Sequence, residues 1–258
     1  MPLAGGGFTG FTPSLNAPIS SSTLGAVSNF GIESRIYGLN GGGTGIGFQY
    51  IFSRAARLSL GYLAGGANDP NVGIGGGTYG SIAQLTLQPT IDFALGLTYV
   101  RAYDVSPGAG GGSINADDPF DGAAVGVNAY GLEASYRVAP WLNLAGWLGL
   151  IDAHAESQPN QGSNATILTW ALTLAFTDFL GRGGDLLGIV VGQPPKVIEN
   201  DVAGREDPDN SFHLEAFYRY QITDRFYITP GIFVVTNPEH NADNDLIYVG
   251  TLRTTFLF

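Results

Sequence analysis

Residues 212–221 read FHLEAFYRYQ, and two kinds of side chain alternate along this stretch. The even positions are apolar or aromatic, whereas the odd positions include His213, Glu215 and Arg219. A helix would scatter these residues around its circumference, but a strand sorts them onto two opposite faces. The stretch therefore predicts a β-strand with one apolar face and one face that carries charge.

The same period of two recurs along most of the chain. In 168–176, for example, Leu, Trp and Phe alternate with Thr and Ala. Eleven such runs lie near 44–52, 56–64, 78–88, 91–102, 124–137, 141–151, 165–177, 186–192, 211–222, 225–235 and 246–258. A twelfth run is predicted at 30–38, and residues 1–28 form an irregular arm rich in Gly, Ser and Pro.

The connections between the runs alternate in length. Short ones lie at 53–55, 88–90, 138–140, 178–185 and 223–224, and long ones at 65–77, 103–123, 152–164, 193–210 and 236–245. Short turns at one rim and long loops at the other are typical of outer-membrane barrels. Most runs also exceed the roughly 5–6 residues of a soluble strand.

These patterns predict an all-β fold, a transmembrane antiparallel β-barrel of about 12 strands that occupies residues 29–258. A soluble β-sandwich or lipocalin-like barrel is the alternative, because it alternates apolar and polar residues in the same way. A sheet edge in lipid would leave backbone groups unpaired, so we expect the last strand to close on the first.

Composition restricts the partners and the chemistry. The net charge of −11 argues against nucleic acid, since phosphate binding needs a basic surface. The absence of Cys excludes disulfides and thiol catalysis. No stretch has the roughly 20 apolar residues of a transmembrane helix. The first residues lack the features of a signal peptide, so we expect a mature, truncated or excised chain.

Several stretches carry a family resemblance. They are AVGVNAYGLEASY at 124–136, WLNLAGWLG at 141–149, LTLQPTIDFALGLTYVRAY at 85–103, GQPPKVIENDVAGRED at 192–207, HLEAFYRYQITDRFYITPGIFVVTNPEHNADND at 213–245 and VGTLRTTFLF at 249–258. With them the chain resembles the carbohydrate-selective outer-membrane porins, in particular a cyanobacterial branch of iron-uptake porins. The resemblance implies a barrel of sixteen strands preceded by an anchoring domain. We therefore expect this chain to be the C-terminal part of a longer porin, or else a shortened porin that closes with fewer strands.

Charged residues on the polar faces of the runs are candidates to line a pore, where an arginine avoids the cost of a lipid contact. They are Glu33, Arg35, Arg57, Glu133, Arg137, His213, Glu215, Arg219 and Arg253. Cross-strand ion pairing is the structural alternative.

The long loops are acidic and are candidates for a negative vestibule. The residues concerned are Asp104, Asp117, Asp118, Asp121, Asp201, Glu206 and Asp207. Simple solvation of surface loops is the alternative.

Motifs for catalysis or cofactor binding are weak. Residues 5–10 and 75–80 each match G-x-G-x-x-G, but neither match lies between a strand and a helix. His154, His213 and His240 lie in different segments without ligand spacing. We therefore expect no enzyme, no cofactor and no metal site.

The sequence and the resemblance together predict a porin in a bacterial, cyanobacterial-type outer membrane. It would let sugars, inorganic ions including iron, or both diffuse passively. A non-conducting structural or anchoring barrel, plugged by residues 1–28, is the alternative. As partners we expect outer-membrane lipid, the diffusing solutes and copies of the chain in a trimer, but no nucleic acid.

Overall fold

A single antiparallel sheet dominates the computed structural model, which describes residues 2–4, 7–10 and 12–258. Its twelve strands are neighbours in space in the same order as in the chain, so every hairpin joins adjacent strands. The strands are β1 (Pro2–Ala4), β2 (Thr44–Ser53), β3 (Ala56–Ala64), β4 (Tyr79–Leu87), β5 (Phe93–Tyr103), β6 (Val125–Ala139), β7 (Leu142–Ala155), β8 (Asn164–Thr177), β9 (Leu186–Asn200), β10 (Phe212–Thr223), β11 (Phe226–Thr236) and β12 (Ile247–Phe256).

The eleven sequence runs are confirmed as β2 to β12, but the expected strand at 30–38 is wrong. That stretch forms helix α1 (Asn29–Ile32) and a 3-10 helix (Arg35–Gly38), so Glu33 and Arg35 do not lie on a strand. The remaining strand is β1, which pairs with β2. Strand β9 continues to Asn200, so the long loop expected at 193–210 is shorter than predicted.

Helices are short in this fold. Helix α2 (Ile114–Asp117) lies in the long connection between β5 and β6. Further 3-10 turns span Phe8–Gly10, Phe179–Gly181 and Pro238–His240. No helix within the described residues is long and apolar enough to cross a membrane.

The two faces of the sheet differ sharply in exposure. On one face, Leu172 and Leu252 are 57% and 71% exposed. On the other face, the neighbouring Thr173 and Glu215 are 1% and 3% exposed. The exposed face is thus apolar, whereas the covered face carries the polar and charged side chains together with apolar ones. An apolar exposed face is the reverse of a soluble sheet. Such an inversion is typical of a sheet that contacts lipid.

Aromatic side chains form rows near both ends of the exposed face. Tyr62, Tyr79 and Tyr103 stack across β3, β4 and β5 beside the long loops, with ring centroids 5.9 Å apart in each pair. Trp141 stacks on Phe176 at 6.2 Å beside the short turns. Aromatic rows at two heights match the girdles at the interfaces of membrane barrels.

Residues 7–10 and 12–43 cover the other face, and we refer to them as the inner segment. Its side chains and the sheet form two apolar clusters. One is built around Phe8, Ile36 and Leu39, and the other around Ile19 and Phe30. The core of the protein therefore lies between the inner segment and the sheet.

The inner segment shows that the sheet is strongly curved. The carbonyl of Pro13 accepts a hydrogen bond from Gln84 on β4, and that of Ser22 accepts one from Arg253 on β12. In a flat sheet these strands would lie about 38 Å apart. The nine residues from Ser14 to Ser22 reach only about 30 Å when fully extended, and here they include a turn at Ile19. The covered face is therefore concave.

The two ends of the sheet are β1 and β12. Within residues 2–4, 7–10 and 12–258, no pairing joins these two strands. The expected closure of the last strand on the first is therefore not observed between the described residues.

The face assignment can be tested with single cysteines, because the native chain has none. We expect cysteine at Leu172 or Leu252 to react only with a lipid-soluble maleimide. Cysteine at Thr173 should be protected from both lipid-soluble and impermeant reagents, since the inner segment covers it. Cysteine at Arg57 should react with the impermeant reagent. Equal labelling at positions 172 and 173 would mean that the register is wrong.

Candidate functional site: the covered concave face

Glu215 on β10 holds the inner segment by its backbone. The amides of Val27 and Ser28 donate hydrogen bonds to its Oε1 at 2.6 and 3.3 Å, and the Ser28 hydroxyl donates to Oε2. Hydrogen bonds to a charged group contribute about 1.5–3 kcal/mol each. Glu215 therefore serves as an anchor for residues 27 and 28 in this structure.

Two arginines hold the neighbouring carbonyl groups. Arg253 on β12 donates to the carbonyls of Ser22 at 3.2 Å and Ala26 at 2.9 Å, and also to that of Gly25. Arg219 on β10 donates to the carbonyl of Leu24 at 3.1 Å. These guanidinium groups, candidates to line a pore, satisfy backbone carbonyls of the inner segment.

His213 lies in an aromatic sandwich. Its ring centroid is 4.9 Å from that of Phe30 and 5.0 Å from that of Phe233. The side chains of Ser28 and Glu215 both approach its Nε2, each at 3.1 Å. In a catalytic triad the serine and the carboxylate contact different ring nitrogens. The cluster of Ser28, His213 and Glu215 therefore does not have the geometry of a hydrolase.

Glycines on the concave face leave space for side chains of the inner segment. A Cβ on Gly131 would lie 2.2 Å from Ile36, and one on Gly149 would lie 3.0 Å from it. In the same way, Gly96 accommodates Leu15, Gly192 accommodates Phe30 and Gly231 accommodates Val27. The sheet thus has sockets that match the inner segment.

Two carboxyl groups face each other across a narrow gap. Glu33 of the inner segment and Glu133 of β6 line the same cavity of about 20 Å³, together with Asn16 and Tyr37. That volume holds about one water molecule. Burial raises the pKa of Glu33 to about 7, although nearby Arg35 opposes the shift. Burial also lowers the pKa of Arg35.

The small gap lies between two larger cavities. A cavity of about 350 Å³ at the short-turn end shares Pro13 and Ser14 with it. A cavity of about 340 Å³ on the other side shares Glu33 and Tyr37 with it. The three cavities therefore follow one another along the inner segment, with the gap as the narrowest of them.

Tyr37 and Gln84 are functional candidates that the sequence did not single out. The Tyr37 hydroxyl donates to Gln84 Oε1 at 3.0 Å and lies 3.3 Å from the Thr98 hydroxyl. Burial raises the pKa of Tyr37 well above its ordinary value. Gln84 lies on the same concave face of β4 as Ile82 and Thr86. Its position in the alternation of the strand was therefore a signal that could have identified it.

Most of the acidic loop candidates make structural contacts. Asp207 is buried and accepts from Ser113, Asn115 and the amide of Val197. Other carboxylates of these loops are bound in a similar way: Asp117 by Ser106 and the amide of Gly110, Asp118 by the amide of Gly122, Asp121 by Arg205 and Asp201 by Asn164. Asp104 and Glu206 are exposed.

The loop between β5 and β6 folds inward over the concave face. Ala116 and Phe120 are fully buried and pack in the cluster of Phe8 and Ile36. The carbonyl of Ala109 accepts a hydrogen bond from Arg35. The loop thus rests on the inner segment. Within the described residues, no group of three or more His, Asp or Glu side chains could hold a metal ion.

The family can be assigned from comparison with known proteins. Residues 2–258 match the model of the carbohydrate-selective porin, OprB family. The chain belongs to this family. An uncharacterized protein of Synechocystis sp. is 38% identical over 98% of the chain, and one of Nostoc sp. is 34% identical over 91%. The chain spans 50% and 42% of the length of these relatives.

A solved porin structure supports the fold. It has a TM-score of 0.55 and 11% sequence identity, and the match covers 82% of this chain and 61% of the porin chain. The all-β, antiparallel barrel architecture expected from the sequence is therefore confirmed.

Docking of the inner segment should depend on pH through Glu33. A pKa raised from 4.5 to about 7 means that the docked state favours the neutral carboxyl. Docking should therefore be strongest below pH 4.5 and weaken as pH rises to about 7, by up to about 1.4 kcal/mol per pH unit. Hydrogen exchange of residues 22–40, corrected for intrinsic rates, measures this change.

Glu33→Gln should remove that pH dependence, and Glu206→Gln is the matched control because Glu206 is an exposed loop residue. An unchanged pH profile in Glu33→Gln would contradict the assignment to Glu33.

Proposed function

We propose that this protein acts in a bacterial outer membrane as a porin for the passive diffusion of small hydrophilic solutes. The observation that carries the proposal is the inverted sheet, in which an apolar face is exposed and the face with the polar and charged side chains encloses an interior. In lipid such a sheet places its apolar side chains against acyl chains and keeps its charged ones inside. The membership in a porin family supports the same function.

The solutes are proposed from the family and the relatives. Sugars fit a carbohydrate-selective family, and inorganic ions including iron fit the resemblance to cyanobacterial iron-uptake porins. The two similar proteins come from Synechocystis and Nostoc, which supports a cyanobacterial-type outer membrane. Outer-membrane lipid and copies of the same chain in a trimer are the proposed partners, and the protein is proposed to act without catalysis or a cofactor.

The gap between Glu33 and Glu133 favours a second candidate function. A cavity of about 20 Å³ between two cavities of about 350 and 340 Å³ restricts passage along the inner segment. A barrel closed by its inner segment would be a structural or anchoring protein rather than a channel. The position of the inner segment therefore distinguishes the two candidates.

Single-channel recording in planar bilayers tests both functions. We expect the full-length chain to form channels of low conductance. Arg253→Met combined with Gly25→Ala should raise that conductance. The first change removes the donors to three carbonyls, at about 1.5–3 kcal/mol each. The second places a Cβ 1.7 Å from the carbonyl oxygen of Ile19.

Arg101→Met is the matched control, because Arg101 pairs with Glu156 at 3.7 Å and donates to the carbonyl of Val127, and both partners lie outside the inner segment. Its conductance should equal that of the wild type. A silent wild type with a conducting double variant would support the plugged barrel. Silence of both proteins, each folded as judged by heat-modifiable mobility, would contradict a channel.

A further inference from the structure

The cavity at the short-turn end is lined by an unusual set of basic residues. Its volume is about 350 Å³, within the size range of small-molecule sites. Arg54 comes from the turn between β2 and β3, Arg57 from β3 and Arg137 from the end of β6. The inner segment forms the floor with residues such as Leu15 and Pro18. The cavity is thus enclosed by several strands and by the inner segment.

The positive charge in this cavity is only partly compensated. Asp92 pairs with Arg137 at 2.5 Å and is the one acidic residue of the lining. Among the described residues, neither Arg54 nor Arg57 forms an ion pair with a carboxylate. Two guanidinium charges therefore remain without a counter-charge around one cavity.

Two residues of the lining carry a buried donor without a partner. The Nε of Arg57 and the Nδ2 of Asn143 are buried and have no hydrogen-bond partner in the described part of the protein. Both residues line the cavity, as do the hydroxyl-bearing Thr86 and Ser135. A buried donor that lacks a partner costs about 1–3 kcal/mol, so a side-chain rotation that brings either donor to an acceptor in the cavity would relieve that cost.

The other interior arginines differ in their remaining nitrogens, although the Nε atoms of Arg35, Arg219 and Arg253 also lack a partner among the described residues. Arg219 and Arg253 donate to backbone carbonyls of the inner segment, and Arg35 donates to the carbonyl of Ala109. Those three side chains hold the structure together. Within the described part of the chain, the side chains of Arg54 and Arg57 have no such hydrogen bond, which leaves them available to a solute.

We propose that this cavity is a binding site for small oxyanions, such as phosphate, sulfate or carboxylate groups. Guanidinium groups bind these anions through two parallel N–H···O bonds, and the Asn143 amide adds a neutral donor, whereas the Ser135 hydroxyl already donates to Asn143 Oδ1. A neutral sugar would leave the two guanidinium charges uncompensated. The role of the site in solute passage rests on the proposed channel function, whereas its ability to bind an anion does not.

Titration of the folded full-length protein in detergent with inorganic phosphate tests the site. Isothermal calorimetry should show one saturable site for phosphate, competition by sulfate and no binding of glucose. Arg57→Gln and Arg54→Gln should each weaken phosphate binding about ten- to hundredfold, the usual effect of losing a charge-assisted hydrogen bond.

Arg225→Gln is the matched control, because Arg225 is an exposed turn arginine that does not line the cavity. It should bind phosphate like the wild type. Absence of saturable binding to the wild type, or equal weakening in Arg225→Gln, would overturn the proposal. Heat-modifiable mobility verifies that each variant is folded, and Arg57→Lys, which retains the charge but loses bidentate geometry, should have intermediate affinity.

The two proposals fail in different ways. If the protein binds phosphate but does not conduct, the channel function is wrong and the anion site stands. If it conducts but shows no saturable phosphate binding, the anion site is wrong and the channel function stands.

Discussion

Charged side chains that a sheet removes from water must find hydrogen-bond partners, because an uncompensated buried charge costs several kcal/mol. The concave face carries such groups in Glu215, Arg219 and Arg253, and the inner segment supplies their partners. The inner segment has the complementary need, since it forms little regular secondary structure and its own amides and carbonyls require partners. Sheet and inner segment therefore satisfy each other.

This mutual dependence explains the local chemistry of both parts. The Glu215 carboxylate accepts hydrogen bonds from the amides of residues 27 and 28. The guanidinium groups of Arg219 and Arg253 donate to the carbonyls of residues 22, 24, 25 and 26. The glycines then determine where each side chain of the inner segment packs. Ile36, for example, packs against Gly131 and Gly149. Polar contacts hold the inner segment in place, and the sockets make its position specific.

The sheet was predictable from the sequence because its signal is local. Alternation such as that of 212–221 depends only on the two faces of a strand, and it located β2 to β12 together with the long and short connections. The pattern at 30–38 also alternates, but there the apolar residues pack against glycines of the sheet and do not form a strand. Phe30 and Ile36 are buried because they fill spaces beside Gly192 and Gly131. Ser28 caps α1 by accepting from the amide of Gly31, which begins a helix.

The end of β9 was missed for a different reason. Pro194 and Pro195 suggest a loop, because proline cannot donate to a strand ladder. Proline is nevertheless tolerated at bulges, and the pairing of β8 with β9 has register shifts next to this site. A bulge depends on the partner strand, so a single-strand pattern does not reveal it.

A charged residue in the interior is available to a solute only if structural hydrogen bonds do not already occupy it. From the sequence, all polar-face charges are equal candidates to line a pore, and all loop carboxylates are candidates for a negative vestibule. In the structure, Arg219 and Arg253 donate to carbonyls of the inner segment. Asp121 pairs with Arg205, and Asp207 accepts from Ser113. Arg54 and Arg57 at the short-turn end remain, as do the exposed Asp104 and Glu206 of the long loops. The electric field that acts on a solute is set by such residual charges, because the fields of two paired opposite charges largely cancel at a distance.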